Sequence, residues 1–236
     1  MSKKVWWIVI IASLGYFVDI YDLILFQVVK KDSLRSLGIT AEKELFQWET
    51  YLFNFQMIGM LIGGLLWGIL GDRKGRIKVL FGSIIVYSLA NICNAFVTNV
   101  ESYAFFRLIA GIGLAGELGA GITLVVETMQ KEKRGYGTMI IVTFGALGAV
   151  VASLVGKEGD HIAHAFNLNM QGWQVTYIVG GILGLLLLAL RAGAYESGMY
   201  KGLETVNTKR GNFAMLFTKK NFPKYLRCIL IGLPIW

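Results

Sequence analysis

Four ionisable side chains lie within long apolar stretches of the sequence: Asp19, Asp22, Arg107 and Glu117. Placing such a group at the centre of a bilayer costs roughly 2.5–3.5 kcal/mol, so each one needs a partner or a function. A carboxylate in a nearly dry cavity is balanced between desolvation, which favours its neutral form, and a nearby cation, which favours its charged form. Such a carboxylate can bind and release a proton, so these residues predict a site of proton exchange, in which Asp19 and Glu117 carry the proton and Arg107 supplies the counter-charge.

Each of the four residues also has a plainer interpretation. Asp19 and Asp22 are three residues apart and Tyr16 precedes them at the same spacing, so on a helix all three follow one polar stripe that would face a cavity. Asp22 would lie near the outer interface, where water alone could solvate it. Arg107 could bind an anionic substrate or neutralise an acid on a neighbouring helix. Asp19 and Glu117 could be purely structural.

Long apolar segments supply the elements that position these side chains. Hydrophobic residues make up 55% of the 236 residues and charged residues 16%, against about a quarter charged in soluble domains. A bilayer core roughly 30 Å thick needs about 20 apolar residues per helix. Segments of this kind run over Trp6–Val29, Phe46–Leu70, Val79–Val97, Ala104–Val126, Met139–Val155 and Val175–Leu190, and a further one begins near Leu226. The sequence therefore predicts an all-α integral membrane protein.

The predicted organisation has three parts. A six-helix transmembrane bundle covers residues 1–191, a polar and basic cytoplasmic linker covers 192–225, and the truncated start of a seventh helix covers 226–236. Longer outer loops are expected at residues 30–45 and 156–172.

The net charge of +8 is explained by topology. With a cytoplasmic N-terminus, most Lys and Arg residues fall in inner segments, among them the basic residues from Arg191 onward. This placement predicts a multi-pass protein of the plasma membrane or the bacterial inner membrane, whose basic surface faces anionic lipid. No nucleic-acid partner is needed to account for the charge.

Other classes of function find no support in the sequence. Cys93 and Cys228 have no metal-ligand spacing, and we expect them to behave as small apolar residues. No nucleophile–base pairing, P-loop or metal cluster is evident. We therefore expect neither an enzyme, nor a cofactor, nor ATP drive.

The segment from Gly68 to Lys78, GILGDRKGRIK, links the second and third predicted helices. It resembles the signature of the major facilitator superfamily, G-x-L-A/G-D-R-x-G-R-R/K, with Ile77 in place of a second basic residue. The matching residues are Gly68, Gly71, Asp72, Arg73, Gly75, Arg76 and Lys78. The first two glycines would permit close helix approach and Gly75 a tight turn. The resemblance implies a latch that closes two helical bundles in the outward-facing state; the alternative is a basic loop that only sets topology.

Two further segments fit the same family. Arg107, Gly111 and Gly113 resemble its fourth-helix pattern R-x-x-x-G-x-G. Glu127 and Arg134 resemble the acidic and basic positions that follow on the cytoplasmic side. The resemblance implies a six-helix half of a major facilitator fold and an ionic network at the inner helix ends.

The first helix resembles two proton-symporter branches of this family. Its run from Gly15 to Leu23, GYFVDIYDL, is similar to patterns of both the metabolite:proton and the phosphate:proton symporters. The GELG run at 116–119 resembles the metabolite branch, and Gly145 replaces the glutamine of the phosphate branch. The fifth helix lacks the Gly-Pro motif of drug antiporters, which favours symport.

The resemblance therefore implies symport of a small organic metabolite, such as a carboxylate or a zwitterion, by alternating access. That activity requires a second six-helix bundle. The alternatives are symport of phosphate or another inorganic anion, and an inactive half or membrane scaffold.

Overall fold

A computed structural model of the chain describes residues 3–196, 218 and 221–232. The described part is helical, and it contains α1 (Lys3–Ser36), α2 (Glu42–Lys74), α3 (Arg76–Asn94), α4 (Val100–Thr128), a 3-10 turn (Lys131–Lys133), α5 (Arg134–Ala165), α6 (Gly172–Glu196) and α7 (Phe222–Gly232). The predicted all-α fold is confirmed. Most of the predicted linker, 192–225, and the end of the predicted seventh helix lie outside the described residues.

Within the part of the chain that the structure describes, four helical segments are long and apolar enough to cross a membrane: Val5–Ser36, Glu42–Lys74, Lys131–Ala165 and Gly172–Gly193. Helix α3 has a shorter apolar stretch, Lys78–Asn94. Large apolar side chains such as Leu61 and Leu186 are exposed around the bundle. In lipid these side chains meet hydrocarbon rather than water, so their exposure is what a membrane helix bundle requires.

The predicted outer loops are mostly helical. Only a short turn separates Ser36 from Glu42, and α5 continues to Ala165. These helices end where the chain reaches positive φ, at Gly38 (φ 93°) and Asn167 (φ 49°). Polar residues outside the hydrocarbon do not stop a helix, and the sequence between contains no proline to break one.

The packing brings the predicted site helices together. Helix α1 packs mainly on α5, α2 on α4, and α3 on both α4 and α6; α1 also touches α4 and α6. Aromatic and aliphatic side chains, among them Tyr21, Leu25 and Phe26, fill the half of the core distant from the start of α1. That half of the bundle is called outer below, and the half that contains the start of α1 is called inner.

Glycines allow the closest of these contacts. A Cβ added at Gly63 would overlap the backbone of Ile112, and one at Gly148 would overlap the backbone of Phe17. Helix α2 therefore touches α4 backbone to backbone, as α1 touches α5. The motif glycine Gly68 makes no such contact, because no described atom would lie within 4 Å of a Cβ there. The expectation that Gly68 permits close helix approach was wrong for this bundle.

Candidate functional site

A buried ion pair joins α4 to α6 in the inner half of the bundle. Arg191 Nη1 donates to Glu117 Oε2 at 2.7 Å, and Arg191 Nη2 donates to the other carboxylate oxygen. Both side chains are 1% exposed. Arg191 Nη2 also reaches the carbonyl oxygen of Ile11 in α1 at 3.5 Å. One guanidinium group thus holds three helices together through a two-pronged carboxylate pair.

This pair corrects two sequence-based expectations. Arg191 was assigned to the basic inner segment, yet it lies inside the bundle, because α6 continues beyond Leu190 to Glu196. The counter-charge of Glu117 is Arg191, whereas Arg107 had been expected to serve that role. A signal was present: Arg191 lies four and seven residues after Leu187 and Gly184, so it shares their buried helix face.

Asp19 of α1 faces the same inner cluster and is fully buried. None of the residues that the structure describes donates a hydrogen bond to either of its carboxylate oxygens. Glu117, Arg191 and Asp22 act on it electrostatically, and it acts in turn on the buried hydroxyl group of Tyr87 in α3. The structure therefore places two predicted residues, Asp19 and Glu117, beside one another with one guanidinium group for both.

Gly15 is the reason that α1 can approach this cluster. A Cβ at this position would overlap Glu117 Oε1 and Arg191 Nη2. Tyr16, the next residue, turns away, because its ring lies against Gly145 of α5. The predicted stripe is therefore divided, with Asp19 facing the charges and Tyr16 facing α5.

A second cluster surrounds Arg107, about 15 Å from Glu117 along α4. Arg107 is fully buried, and its Nη2 donates a hydrogen bond to Gln56 Oε1 of α2. Its guanidinium carbon lies 4.3 Å from the ring centroid of Phe26 and 6.0 Å from that of Tyr177. A guanidinium group over aromatic faces keeps its charge at a low cost of desolvation.

Asp22 belongs to this second cluster. It is fully buried, so the alternative in which water solvates it at the interface was wrong for this bundle. Arg107 and the Asn91 side chain are its electrostatic partners. Arg107 of α4 thus interacts electrostatically with an acid of α1, and its role in substrate binding or neutralisation stays a prediction.

Hydroxyl groups close the outer side of this cluster. Tyr103 and Tyr177 join through their hydroxyl groups at 2.6 Å, and Ser33 lies 3.2 Å from the Tyr103 hydroxyl. Tyr21 donates to the carbonyl oxygen of Thr176 at 3.2 Å. Sequence reasoning missed these residues and Gln56, because a polar tyrosine or glutamine in an apolar stretch does not reveal its partner.

The motif loop is exposed at the inner end of α2. Asp72, Arg73 and Lys78 are exposed and form no ion pair with another residue of the described ranges. Gly75 has φ 95°, which confirms the tight turn, and its N–H donates to the carbonyl oxygen of Gly71 at 3.0 Å. The latch stays a prediction.

The other inner motif residues are only partly described. Arg134 Nε donates to the carbonyl oxygen of Met129 at 3.2 Å. The side chains of Arg76 and Glu127 lie outside the described residues, so the predicted ionic network also stays a prediction. Among the described residues no cluster of His, Cys, Asp and Glu is suited to a metal ion.

The family model of the Major Facilitator Superfamily matches residues 8–235. The chain belongs to this superfamily of transporters. It is 28% identical over 190 residues to the "Niacin transporter NiaP" of Acinetobacter baylyi, a match that covers 80% of this chain and 40% of that protein. It is 31% identical over 140 residues to the "3-(3-hydroxy-phenyl)propionate transporter" of Escherichia coli, covering 59% of this chain and 32% of that transporter. The chain thus spans less than half the length of these curated relatives.

A solved structure supports the fold. The proton:xylose symporter XylE superposes with a TM-score of 0.67 and 22% identity, over 85% of this chain and 47% of that chain. At this identity the likeness extends to the fold alone. The helix order described above is therefore that of this fold, and solute and coupling ion are separate questions.

Proposed function

We propose that this chain forms the N-terminal six-helix half of a secondary active transporter that moves a small organic metabolite, a carboxylate or a zwitterion, together with protons. The observation that carries the proposal is the buried Asp19 carboxylate, which accepts no hydrogen bond from any described residue and lies beside the Glu117–Arg191 ion pair. An acid held in this way can take up a proton when its cavity opens to one side of the membrane and release it on the other.

The class of solute is proposed from Arg107 and from the relatives. The guanidinium group lies against Phe26 and Tyr177, so charge and aromatic surface occur at one place. A carboxylate attached to a ring matches both features. The two relatives are named for niacin and 3-(3-hydroxy-phenyl)propionate, which are both aromatic carboxylic acids.

Transport in this proposal requires a second bundle. Alternating access moves one six-helix bundle against another around a central site. The motif loop from Gly68 to Lys78 would lie at the cytoplasmic seam between them, in a plasma or bacterial inner membrane, with a cytoplasmic N-terminus.

The test measures proton-driven uptake by the protein as its gene encodes it, including any coding sequence after codon 236. In proteoliposomes with an imposed pH gradient, we expect uptake of labelled niacin or 3-(3-hydroxyphenyl)propionate. Asp19→Asn should abolish gradient-driven accumulation, whereas the exposed-site control Glu101→Gln should leave it unchanged. Uptake by Asp19→Asn that keeps its pH dependence would contradict the proton role.

The solute arms of the same assay separate the alternatives. If labelled phosphate is taken up and organic acids do not compete with it, the transported solute is an inorganic anion and not an organic metabolite. Absence of uptake of every solute, with correct membrane insertion, would support an inactive half or scaffold instead.

A further inference from the structure

Glu117 and Asp19 are neighbours with opposite bonding. Both oxygens of Glu117 accept hydrogen bonds from Arg191, while neither oxygen of Asp19 accepts one from any residue in the described part of the chain. Asp19 is fully buried and Glu117 is 2% exposed, so bulk water does not remove this difference. Two acids beside one guanidinium group are therefore not equivalent.

Protonation would have different consequences at the two acids. A proton on Glu117 would break a two-pronged ion pair and leave the buried Arg191 charge without its carboxylate, which is strongly unfavourable. A proton on Asp19 breaks no hydrogen bond made by the described residues, and it removes a negative charge from beside Glu117. The geometry thus favours a proton on Asp19.

We propose that Arg191 is a positioning residue of the proton site: it fixes Glu117 as a permanent negative charge and leaves Asp19 as the acid that exchanges the proton. This inference deepens the proposed function and rests on it. The sequence predicted two proton carriers, Asp19 and Glu117, and this inference keeps Asp19 alone. It also gives a role to Arg191, which had been counted only among the basic residues that set the membrane topology.

The surroundings of Asp19 are consistent with this assignment. The titratable groups that interact with it electrostatically are Tyr16 and Asp22 on its own helix, Tyr87 on α3, Glu117 on α4 and Arg191 on α6. Where α5 meets this part of α1, it does so through glycines that touch Tyr16 and Phe17, and these add no charge. Arg191 is therefore the cation of this cluster among the residues that the structure describes.

The matching control is an ion pair of the same residue types at the surface. Arg35 Nη2 lies 3.0 Å from Glu42 Oε1, and the two side chains are 50% and 74% exposed. Changing this pair by the same substitutions alters an arginine and a glutamate without touching the inner cluster.

The experiment is infrared difference spectroscopy of the full chain in lipid, titrated with pH and without any solute. A protonated carboxyl group has a carbonyl stretch that amide side chains do not share, so Asn and Gln variants assign the band. We expect Asp19→Asn to remove one pH-dependent component. Glu117→Gln should keep a component that Asp19→Asn/Glu117→Gln lacks, with a shifted midpoint because Arg191 then acts on Asp19 alone. Arg191→Gln should add a second component that disappears in Arg191→Gln/Glu117→Gln. Arg35→Gln should match the unmodified chain.

Several results would overturn the inference. One is a component that Asp19→Asn leaves in place and Glu117→Gln removes, since Glu117 would then exchange the proton. Another is an Asp19→Asn spectrum identical to that of the unmodified chain. A third is an Arg191→Gln spectrum without a second component in a folded protein. If Arg191→Gln fails to fold, Arg191→Lys and the double variant keep the test decisive: both should retain the Asp19 component alone.

Because no solute is present, the outcome is separable from the proposed function. The Asp19 component together with failed uptake would leave the proton site intact and reject the transport proposal. The reverse pattern, proton-driven uptake without an Asp19 component, would reject the assignment of the proton to Asp19 and the role of Arg191, and would leave proton-coupled transport itself standing.

Discussion

Removing one partner of the Glu117–Arg191 pair should destabilise the bundle far more than removing both. Either single variant, Glu117→Gln or Arg191→Gln, leaves one charge in a site whose side chains are 1% exposed. Loss of one partner of a buried pair costs about 3–5 kcal/mol, similar to the roughly 2.5–3.5 kcal/mol for an unpaired charge at the centre of a bilayer. The double variant removes both charges of the pair, so its loss should be smaller than the sum of the singles by about 2 kcal/mol or more.

The surface pair sets the scale of the comparison. Arg35 and Glu42 have a similar separation but are 50% and 74% exposed, so their coupling energy should be about 0.2–1 kcal/mol. The coupling energy of each pair can be measured by a double-mutant cycle on the chain in mixed micelles. An increasing concentration of denaturing detergent unfolds the helices, and circular dichroism measures the remaining helix. Equal coupling energies for the two pairs would refute the reasoning, because Arg191 would then reach water.

Two further predictions concern packing and hydrogen bonding, with unfolding free energy as the measured quantity. Gly63→Ala should destabilise the bundle by about 1–3 kcal/mol, because the added Cβ would overlap the Ile112 backbone. In the control Gly64→Ala the added Cβ would meet no described atom within 4 Å, so this variant should stabilise the helix by up to about 1 kcal/mol. Equal effects of the two variants would contradict the α2–α4 contact. Tyr177→Phe should lower the unfolding free energy by about 0.5–1.5 kcal/mol, because it removes the 2.6 Å hydrogen bond to Tyr103. Adding Tyr103→Phe to Tyr177→Phe should then cost only the remaining contact between the Tyr103 and Ser33 hydroxyl groups. Fully additive losses would show that the two tyrosine hydroxyl groups do not interact.

Much of the fold could be read before the structure. The apolar runs gave the helices, and the resemblance of the Gly68–Lys78 loop gave the family that the family model confirms. Gly75 was predicted to turn, and it does, because few residues other than glycine tolerate a φ of 95°. Helix ends were less predictable. Polar residues near 30–45 suggested a loop, but a helix needs no apolar side chains once it leaves the hydrocarbon.

The four ionisable residues were recognised from one rule alone, the cost of a charge in lipid. All four are buried, including Asp22, for which solvation by water at the interface had been the alternative. That rule is local, because it depends only on a residue type and its apolar neighbours. It says that a partner is needed and does not say which one.

Partners were decided by the tertiary structure. Along one helix the spacing of about 1.5 Å per residue fixes how far Arg107 lies from Glu117, but nothing in that spacing gives the rotation of α6 against α4. That rotation brings Arg191 to Glu117 and leaves Arg107 with Gln56 and Asp22. The composition and spacing of residues thus establish that charges are buried in a transporter bundle, and the packing of separate helices establishes which charge neutralises which, because pairing depends on contacts between residues far apart in the chain.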